Sequence, residues 1–317
     1  MPKLTLLDIA KLNGNDKVVG LIEENLIYVP ELEHFPVRQI KGLSYYTVKR
    51  TGNPSVSFRT ANEGVAASKS TFVRSLVETF ILSAAVECDK AVAVGYEEGI
   101  AALEMIEAQG VMKQAMLEIA SQIWYGTSAD TKGFGGIKAA TAFGGATTLA
   151  SGGSDANKQS SVYAVRFGVQ DVTLIAGNGT TFDLSEFRDQ QLADSNGNKY
   201  AGRVADLTAW VGLQIGNANC VGRIANVGDT TETGDTLTDA KIANLLRKFP
   251  VGYLPSALFM SRRSQAELQT SRAVVINSGP GQKAAPSIEA VADLPTSAFG
   301  IPIYVSDAIL DTDAVES

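Results

Sequence analysis

Residues 97–137 read EEGIAALEMIEAQGVMKQAMLEIASQIWYGTSADTKGFGGI and contain the pattern that decides the fold. Apolar residues recur at steps of three and four, and mostly polar side chains lie between them: Ile100, Leu103, Ile106, Met112, Met116, Ile119 and Ile123. This period predicts an amphipathic helix on the order of 40 Å long at about 1.5 Å per residue, long enough to act as a structural spine. Gly110 is a candidate bend. The helix is expected to end at Trp124-Tyr125-Gly126, before a glycine-rich turn at 133–136.

Composition describes an ordered protein without a membrane segment. The chain has 317 residues, 45% hydrophobic and 19% charged, which suits two compact units or one elongated subunit. No apolar run approaches the ~20 residues that span a bilayer, and the first residues do not read as a secretory signal. Cys88 and Cys220 are expected to be reduced thiols, and synthesis is expected in the cytoplasm.

The charge balance limits the kind of nucleic-acid contact. The net charge is −7, with no run rich in lysine or arginine, which argues against a sequence-specific nucleic-acid binder. A surface that only confines nucleic acid, and so should bind phosphate weakly, is compatible with this balance.

The sequence of the N-terminal third predicts two parts, an arm and a hairpin, each of which is too small to be stable without packing on another surface. Residues 1–35 form short apolar helical pieces, an arm that packs either on its own chain or on a neighbour. Residues 36–66 hold two runs rich in β-branched and aromatic residues, at 43–48 and 56–58, separated by a turn signal at 51–54. They predict a projecting two-stranded hairpin that docks on a partner, or an edge hairpin on the chain's own sheet. The candidate interface residues are Tyr45, Tyr46, Lys49, Arg50, Phe58 and Arg59.

The second half alternates between strands and helices. Residues 139–159 predict a flexible loop, and 161–227 predict strands with a tight turn at Asn196-Gly197-Asn198. A helix capped by Thr238 is expected to stop at Phe249-Pro250. A strand at 257–260, a helix at 261–270, a loop at 277–286 and a strand at 301–305 follow.

The chain has few of the residues that catalysis or metal binding would need. His34 is the single histidine, which excludes most nucleophilic triads and histidine-ligated zinc sites. The glycine clusters at 133–136 and 177–179 match neither GxxxxGK[ST] nor GxGxxG. Four carboxylates, Asp183, Glu186, Asp189 and Asp194, could bind a cation, but their spacing matches no EF-hand. We therefore expect no enzymatic activity, no cofactor and no metal.

Several segments, taken in order, resemble the major capsid proteins of tailed bacteriophages. The resemblance rests on 123–126 with 133–137, on 161–168, on Gly222 to Val227, on 246–262, and on the Gly-Ile-Pro-Ile strand from Phe299 to Asp307. It implies an α+β fold with an N-terminal arm (1–35), an extended β-hairpin loop (36–70), a peripheral domain with the spine helix (71–138) and an axial domain with a C-terminal strand (229–317). Residues 139–228 form a β-rich segment that either completes the peripheral sheet or is an insertion.

The same resemblance implies the function. The chain would assemble with itself, as pentamers and hexamers, into the icosahedral shell around the double-stranded DNA of a tailed phage. It would touch the DNA weakly and non-specifically. A separate protein would supply any scaffolding, portal or decoration role. The protein would be located in the virion capsid, after synthesis in the bacterial cytoplasm. The alternatives are the shell of a cellular nanocompartment, a hydrolase using Asp183 and Glu186, and a monomeric β-rich adhesin.

Overall fold

The computed structural model of the chain describes residues 4–13, 27–179, 184–229, 235–272 and 293–316, and the backbone of 274–276 and 288–290. Its helices are α1 (Leu6–Leu12), α2 (Glu31–His34), α3 (Lys90–Ala93), α4 (Ile100–Tyr125), α5 (Ile137–Ala140), α6 (Asp239–Leu246) and α7 (Arg262–Arg272). Its strands are β1 (Val37–Gln39), β2 (Ser44–Gly52), β3 (Thr71–Glu78), β4 (Phe80–Asp89), β5 (Thr148–Ala150), β6 (Ser160–Val165), β7 (Val172–Ala176), β8 (Arg188–Ala193), β9 (Lys199–Ile215), β10 (Val221–Val227), β11 (Ala257–Met260), β12 (Val274–Ile276), β13 (Ile288–Ala290), β14 (Ser297–Ala298) and β15 (Ile301–Val305). Among these described helices, none has the length and apolar character needed to cross a bilayer.

The predicted spine is helix α4, which has 26 residues and is therefore on the order of 39 Å long. It begins after Gly99 rather than at Glu97, and it stays helical through Gly110, so the candidate bend does not break it. Its second half is the more deeply buried, with Ile119, Ile123 and Trp124 in the core. Met116, which the pattern places on the apolar face, is 37% exposed.

A close backbone contact ends the spine. Gly126 has a positive φ of 58°, and a Cβ at this position would overlap the backbone nitrogen of Gly136. The side chain of Gln122 ties the turn down, because its Nε2 donates to the carbonyl oxygens of Phe134 (2.6 Å) and Asp130 (3.2 Å). The exit at 124–126 and the glycine turn at 133–136 are thus two halves of one contact that only glycine permits.

Two sheets flank the spine. The spine sheet has the order β1-β7-β9-β4, with β8 also paired to β9. The second sheet has the order β14-β15-β11-β6-β10-β5. The segment at 139–228 contributes to both, since β7, β8 and β9 join the spine sheet and β5, β6 and β10 join the second sheet. It is therefore shared between the two sheets.

Three apolar cores hold these layers together. The first surrounds Trp124 and lies where the end of the spine meets both sheets. The second lies between the second sheet and helices α6 and α7. The third joins α1, α3 and β4 to the start of the spine.

The described part of the arm packs on its own chain. Ile9 of α1 is buried in the third core, and Phe35 is buried against Trp124 in the first. Glu31 is fully buried, and its Oε1 accepts a 2.6 Å hydrogen bond from Trp124 Nε1. Both described ends of the arm are thus part of the fold, and the apolar residues predicted between 14 and 26 lie outside the described residues.

Most later predictions are confirmed. The turn at 196–198 connects β8 to β9, Thr238 caps α6, and β11, α7 and β15 occupy the expected positions. The flexible-loop prediction for 139–159 is wrong in part, because β5 lies within it and pairs in parallel with β10. The loop predicted at 277–286 lies outside the described residues.

Candidate functional site: the projecting hairpin and the spine groove

The hairpin is built from β2 and β3, which pair antiparallel with Tyr46 opposite Leu76 and Arg50 opposite Phe72. The predicted pairing of 43–48 with 56–58 is wrong. A three-residue run is too short to match the nine residues of β2, whereas β3 offers eight residues of similar composition. The prediction failed because a loop of 18 residues, from Asn53 to Ser70, separates β2 from its partner strand β3.

The inner face of the hairpin is rooted on the chain's own sheet. The Tyr45 hydroxyl donates to Gln214 Oε1, and Lys49 Nζ donates to the carbonyl oxygen of Ile215 at 3.4 Å. Partial burial raises the pKa of Tyr45 above its ordinary value. Two of the six candidate interface residues therefore hold the hairpin in place.

The outer face of the hairpin consists of exposed apolar and basic side chains. Its members are Tyr46, Val48 and Arg50 of β2 and Phe72, Arg74 and Leu76 of β3. The Arg74 guanidinium carbon lies 3.5 Å from the centroid of the Tyr46 ring, and that of Arg50 lies 5.6 Å from the Phe72 ring. These cation–π contacts order both arginines on the surface before any partner is bound.

The tip loop, residues 53–70, is exposed almost throughout. Ser55 and Ser68 hydrogen-bond across its base, and an Arg59 guanidinium nitrogen donates to the carbonyl oxygen of Glu63 at 2.8 Å. Val56 is 92% exposed and Phe58 is fully exposed. Such apolar side chains at a loop tip are typical of a surface that becomes buried on association.

The six predicted residues thus occupy three positions. Tyr45 and Lys49 lie at the root, Tyr46 and Arg50 on the outer face, and Phe58 and Arg59 in the tip loop. Sequence reasoning missed the β3 half of the outer face. The aromatic and β-branched residues Phe72, Val73 and Val77 could have indicated a strand there.

Charge separates the hairpin from the rest of the chain. Residues 38–78 contain seven of the 27 lysines and arginines but two of the 34 acidic residues. A net positive projection therefore extends from a chain whose total charge is −7.

Two depressions between the spine helix and β4 have more acidic than basic side chains in their lining, and together we call them the spine groove. One depression of about 330 Å³ is lined by Phe80 to Ser83, by Glu118, Ile119 and Gln122, and by Asp130 and Lys132. A second of about 310 Å³ is lined by Leu4, Asp8, Ala85 to Glu87, Glu107 and Val111. Burial, followed by the nearby charge of Asp8, raises the pKa of Glu107.

The edge of β4 beside this groove has no partner strand among the described residues, because β4 pairs with β9 alone. Exposed edges can accept a further extended segment. The groove therefore combines apolar contact and negative charge with a strand edge that has no second partner strand among the described residues.

The carboxylates between 183 and 194 and His34, which the sequence analysis weighed as candidates, lie in separate surroundings where they are described. Asp189 pairs with Lys90 (2.9 Å) and Arg203 (3.3 Å), and Asp194 accepts backbone hydrogen bonds from the turn at 196–198. Glu186 is exposed, and Asp183 lies outside the described residues. The part of the chain that the structure describes holds no group of three or more His, Cys, Asp or Glu suited to a metal ion. His34 stacks on Tyr304, with ring centroids 3.7 Å apart.

One solved structure has this architecture over nearly the whole chain, and more distant ones match in part. A chain from the structure of bacteriophage Epsilon15 superposes with a TM-score of 0.71 at 19% identity, over 99% of this chain and 98% of that one. A Mycobacterium phage Bobi chain matches with a TM-score of 0.48 at 13% identity, over 71% and 99%. The SrpI encapsulin of Synechococcus elongatus matches with 0.46 at 8%, over 72% and 97%. No curated protein matches the chain in sequence.

The spine helix, the projecting hairpin and the two sheets define the fold of tailed-phage major capsid proteins, as the resemblance in the sequence implied. The family model described as Major capsid protein GP7 matches residues 37–316, which include the hairpin, the spine and both sheets. The chain belongs to this family of major capsid proteins. It is a structural protein of the phage virion.

Proposed function

We propose that the chain builds the phage shell by seating the outer face and tip loop of its hairpin in the spine groove of a second copy. The observation that carries this proposal is the opposition of charge. The hairpin presents exposed apolar residues among basic ones, and the spine groove presents apolar residues with five acidic side chains and one lysine. Complementary charge orients two partners, and apolar burial supplies most of the free energy.

The contact is repeated around closed rings, which we take to be pentamers and hexamers. Each contact can be modest, because a closed shell multiplies it through avidity. Separate proteins supply scaffolding, portal or decoration roles. The net charge of −7 keeps contact with the packaged DNA weak and non-specific.

We further propose that the chain is not an enzyme and is made in the bacterial cytoplasm. Support comes from Asp189, which forms ion pairs, and Asp194, which caps the turn at 196–198, rather than both facing a shared site. Membership of a structural family agrees with this reading.

Charge reversal tests the docking of hairpin on groove. A hairpin variant (R50E with R59E) and a groove variant (E107K with E118K) should each fold yet fail to form shells, as judged by size-exclusion chromatography and negative-stain electron microscopy. Assembly should be restored in part when the two variant proteins are mixed, or when all four substitutions are placed in one chain. Arg247→Glu, which reverses an exposed charge away from the hairpin, should still assemble.

Normal shells from either reversed variant would contradict the proposed contact. Thermal unfolding of each unassembled variant, compared with that of the Arg247→Glu control, separates loss of docking from loss of folding.

A further inference from the structure

The segment at 310–316 lies across the junction between the spine helix and the second sheet. The amide of Leu310 donates to the Tyr125 hydroxyl oxygen at 2.8 Å, at the last residue of the spine. Asp313 and Gln159 exchange backbone hydrogen bonds of 2.8 and 3.2 Å, next to β6 of the second sheet. The segment therefore touches both sides of the junction.

Glu316 gathers the strongest contacts of this segment. Its two carboxylate oxygens accept hydrogen bonds of 2.9 and 2.6 Å from Arg223 of β10. Lys138 of α5, just beyond the spine, lies 2.9 Å from the same carboxylate. Asn226 exchanges two hydrogen bonds with the backbone of Glu316, at 2.7 and 3.0 Å. One residue is thus held by β10 and by α5 at once.

The charge on Arg223 makes this contact necessary. Its side chain is 1% exposed, and the remaining hydrogen-bond partner of its guanidinium is the neutral Ser161 hydroxyl. A buried guanidinium without a carboxylate partner is strongly disfavoured. Burial opposes the ionisation of Glu316, but hydrogen bonds from Arg223 and Lys138 hold its pKa below the ordinary value. The pair is therefore ionised at neutral pH.

We propose that residues 310–316 act as a clasp that locks the end of the spine helix to the second sheet, with the Glu316–Arg223 ion pair as its closure. The charged and titratable groups that face Glu316 are Arg223, Lys138 and Asp313, with the Tyr163 phenol beneath them. The clasp fixes the angle between the spine, which carries the groove, and the second sheet. It acts within one subunit, so it stands or falls independently of the proposed docking of hairpin on groove.

Hydrogen–deuterium exchange of the full chain, measured by mass spectrometry, tests the clasp. Glu316→Gln keeps the shape of the side chain but removes its charge. We expect the amides of 137–141 and 223–227 to exchange at least about tenfold faster in this variant than in the parent protein. Asp155→Asn, which removes one carboxylate from an exposed pair with Lys158 (3.1 Å), is the matched control and should leave these amides unchanged.

A second variant separates the closure from a general loss of folding. Replacing both partners, in R223M with E316L, removes the buried charge and its need for compensation. The double variant should therefore melt close to the parent temperature, but exchange at 137–141 and 223–227 should stay at least about tenfold faster than in the parent, because the ion pair that closes the clasp is absent. Parent-like exchange in Glu316→Gln, or in the folded double variant, would overturn the proposal.

Discussion

Replacing Gly126 with alanine tests the contact that ends the spine. Alanine at φ 58° and ψ −131° adopts a backbone conformation that costs on the order of 1–3 kcal/mol. Its Cβ would also overlap the backbone nitrogen of Gly136 and lie 2.8 Å from its Cα, so two backbone segments would have to separate. A strained core contact of this kind costs a further ~1–3 kcal/mol. The total of about 4 kcal/mol is a large part of the ~5–15 kcal/mol that stabilises a typical domain.

Thermal unfolding of the unassembled subunit measures this effect. Gly126→Ala should lower Tm by on the order of 10 °C. Gly135→Ala is the matched control, because it lies in the same turn and a Cβ there meets nothing within 4 Å. The control should melt at the parent temperature or slightly above it, since alanine restricts the unfolded chain. If Gly126→Ala melted within about 2 °C of Gly135→Ala, the reasoning about this contact would be wrong.

Three further predictions follow from individual side chains. Phe58→Ser should leave the Tm of the subunit unchanged, because the ring is fully exposed. It should raise the critical concentration for assembly by ~10-fold or more, since a buried Phe contributes about 1.5–3 kcal/mol. Thr60→Ala in the same loop should change neither quantity, and a Phe58→Ser variant that assembles at the parent concentration would refute the role of Phe58. Burial raises the pKa of Glu31, so the parent should lose stability as the pH rises from about 4.5 through the pKa of Glu31 in the folded state. Glu31→Gln should therefore have a higher Tm than the parent at pH 7 but not at pH 4. An equal difference in Tm at both pH values would contradict this. Phe35→Ala, in contrast to Phe58→Ser, removes a buried aromatic side chain. It should lower the free energy of unfolding of the subunit by about 3–5 kcal/mol, as measured by denaturant titration, and a decrease below about 1 kcal/mol would show that Phe35 is not part of the core.

Local signals made the spine helix, α6, the β8–β9 turn and the strands β11 and β15 predictable. The spine follows from a repeat of three and four residues, α6 from a threonine cap and a following Phe-Pro, and the β8–β9 turn from Asn-Gly-Asn. Each of these depends on residues within a few positions of one another. Their order along the chain was also enough to indicate the capsid resemblance, which the family match confirms.

Non-local pairing explains what sequence reasoning missed. β2 pairs with β3 across an 18-residue loop, and no local rule selects that partner over the nearer run at 56–58. The division of 139–228 between two sheets depends on contacts with β4 and β11, which lie far away in the chain.

The candidate site was predictable in the same limited way. Its place on the hairpin followed from exposed aromatic and basic residues in a strand pattern. The separation of Tyr45 and Lys49 from the outer face required the register against Gln214 and Ile215. The acidic groove could not be predicted, because it brings together α1, β4 and the spine.

Shortening the tip loop tests the assembly role most directly. Replacing residues 53–70 with a two-residue Asn-Gly turn keeps β2 and β3 paired but removes Val56, Phe58 and Arg59. Expressed alone or with its neighbouring genes, the parent chain should form hollow shells or rings of five and six subunits in negative-stain electron microscopy. The shortened chain should remain a folded, unassembled subunit of parent-like Tm. A parent chain that stays monomeric under both conditions, or a shortened chain that still forms shells, would contradict the account.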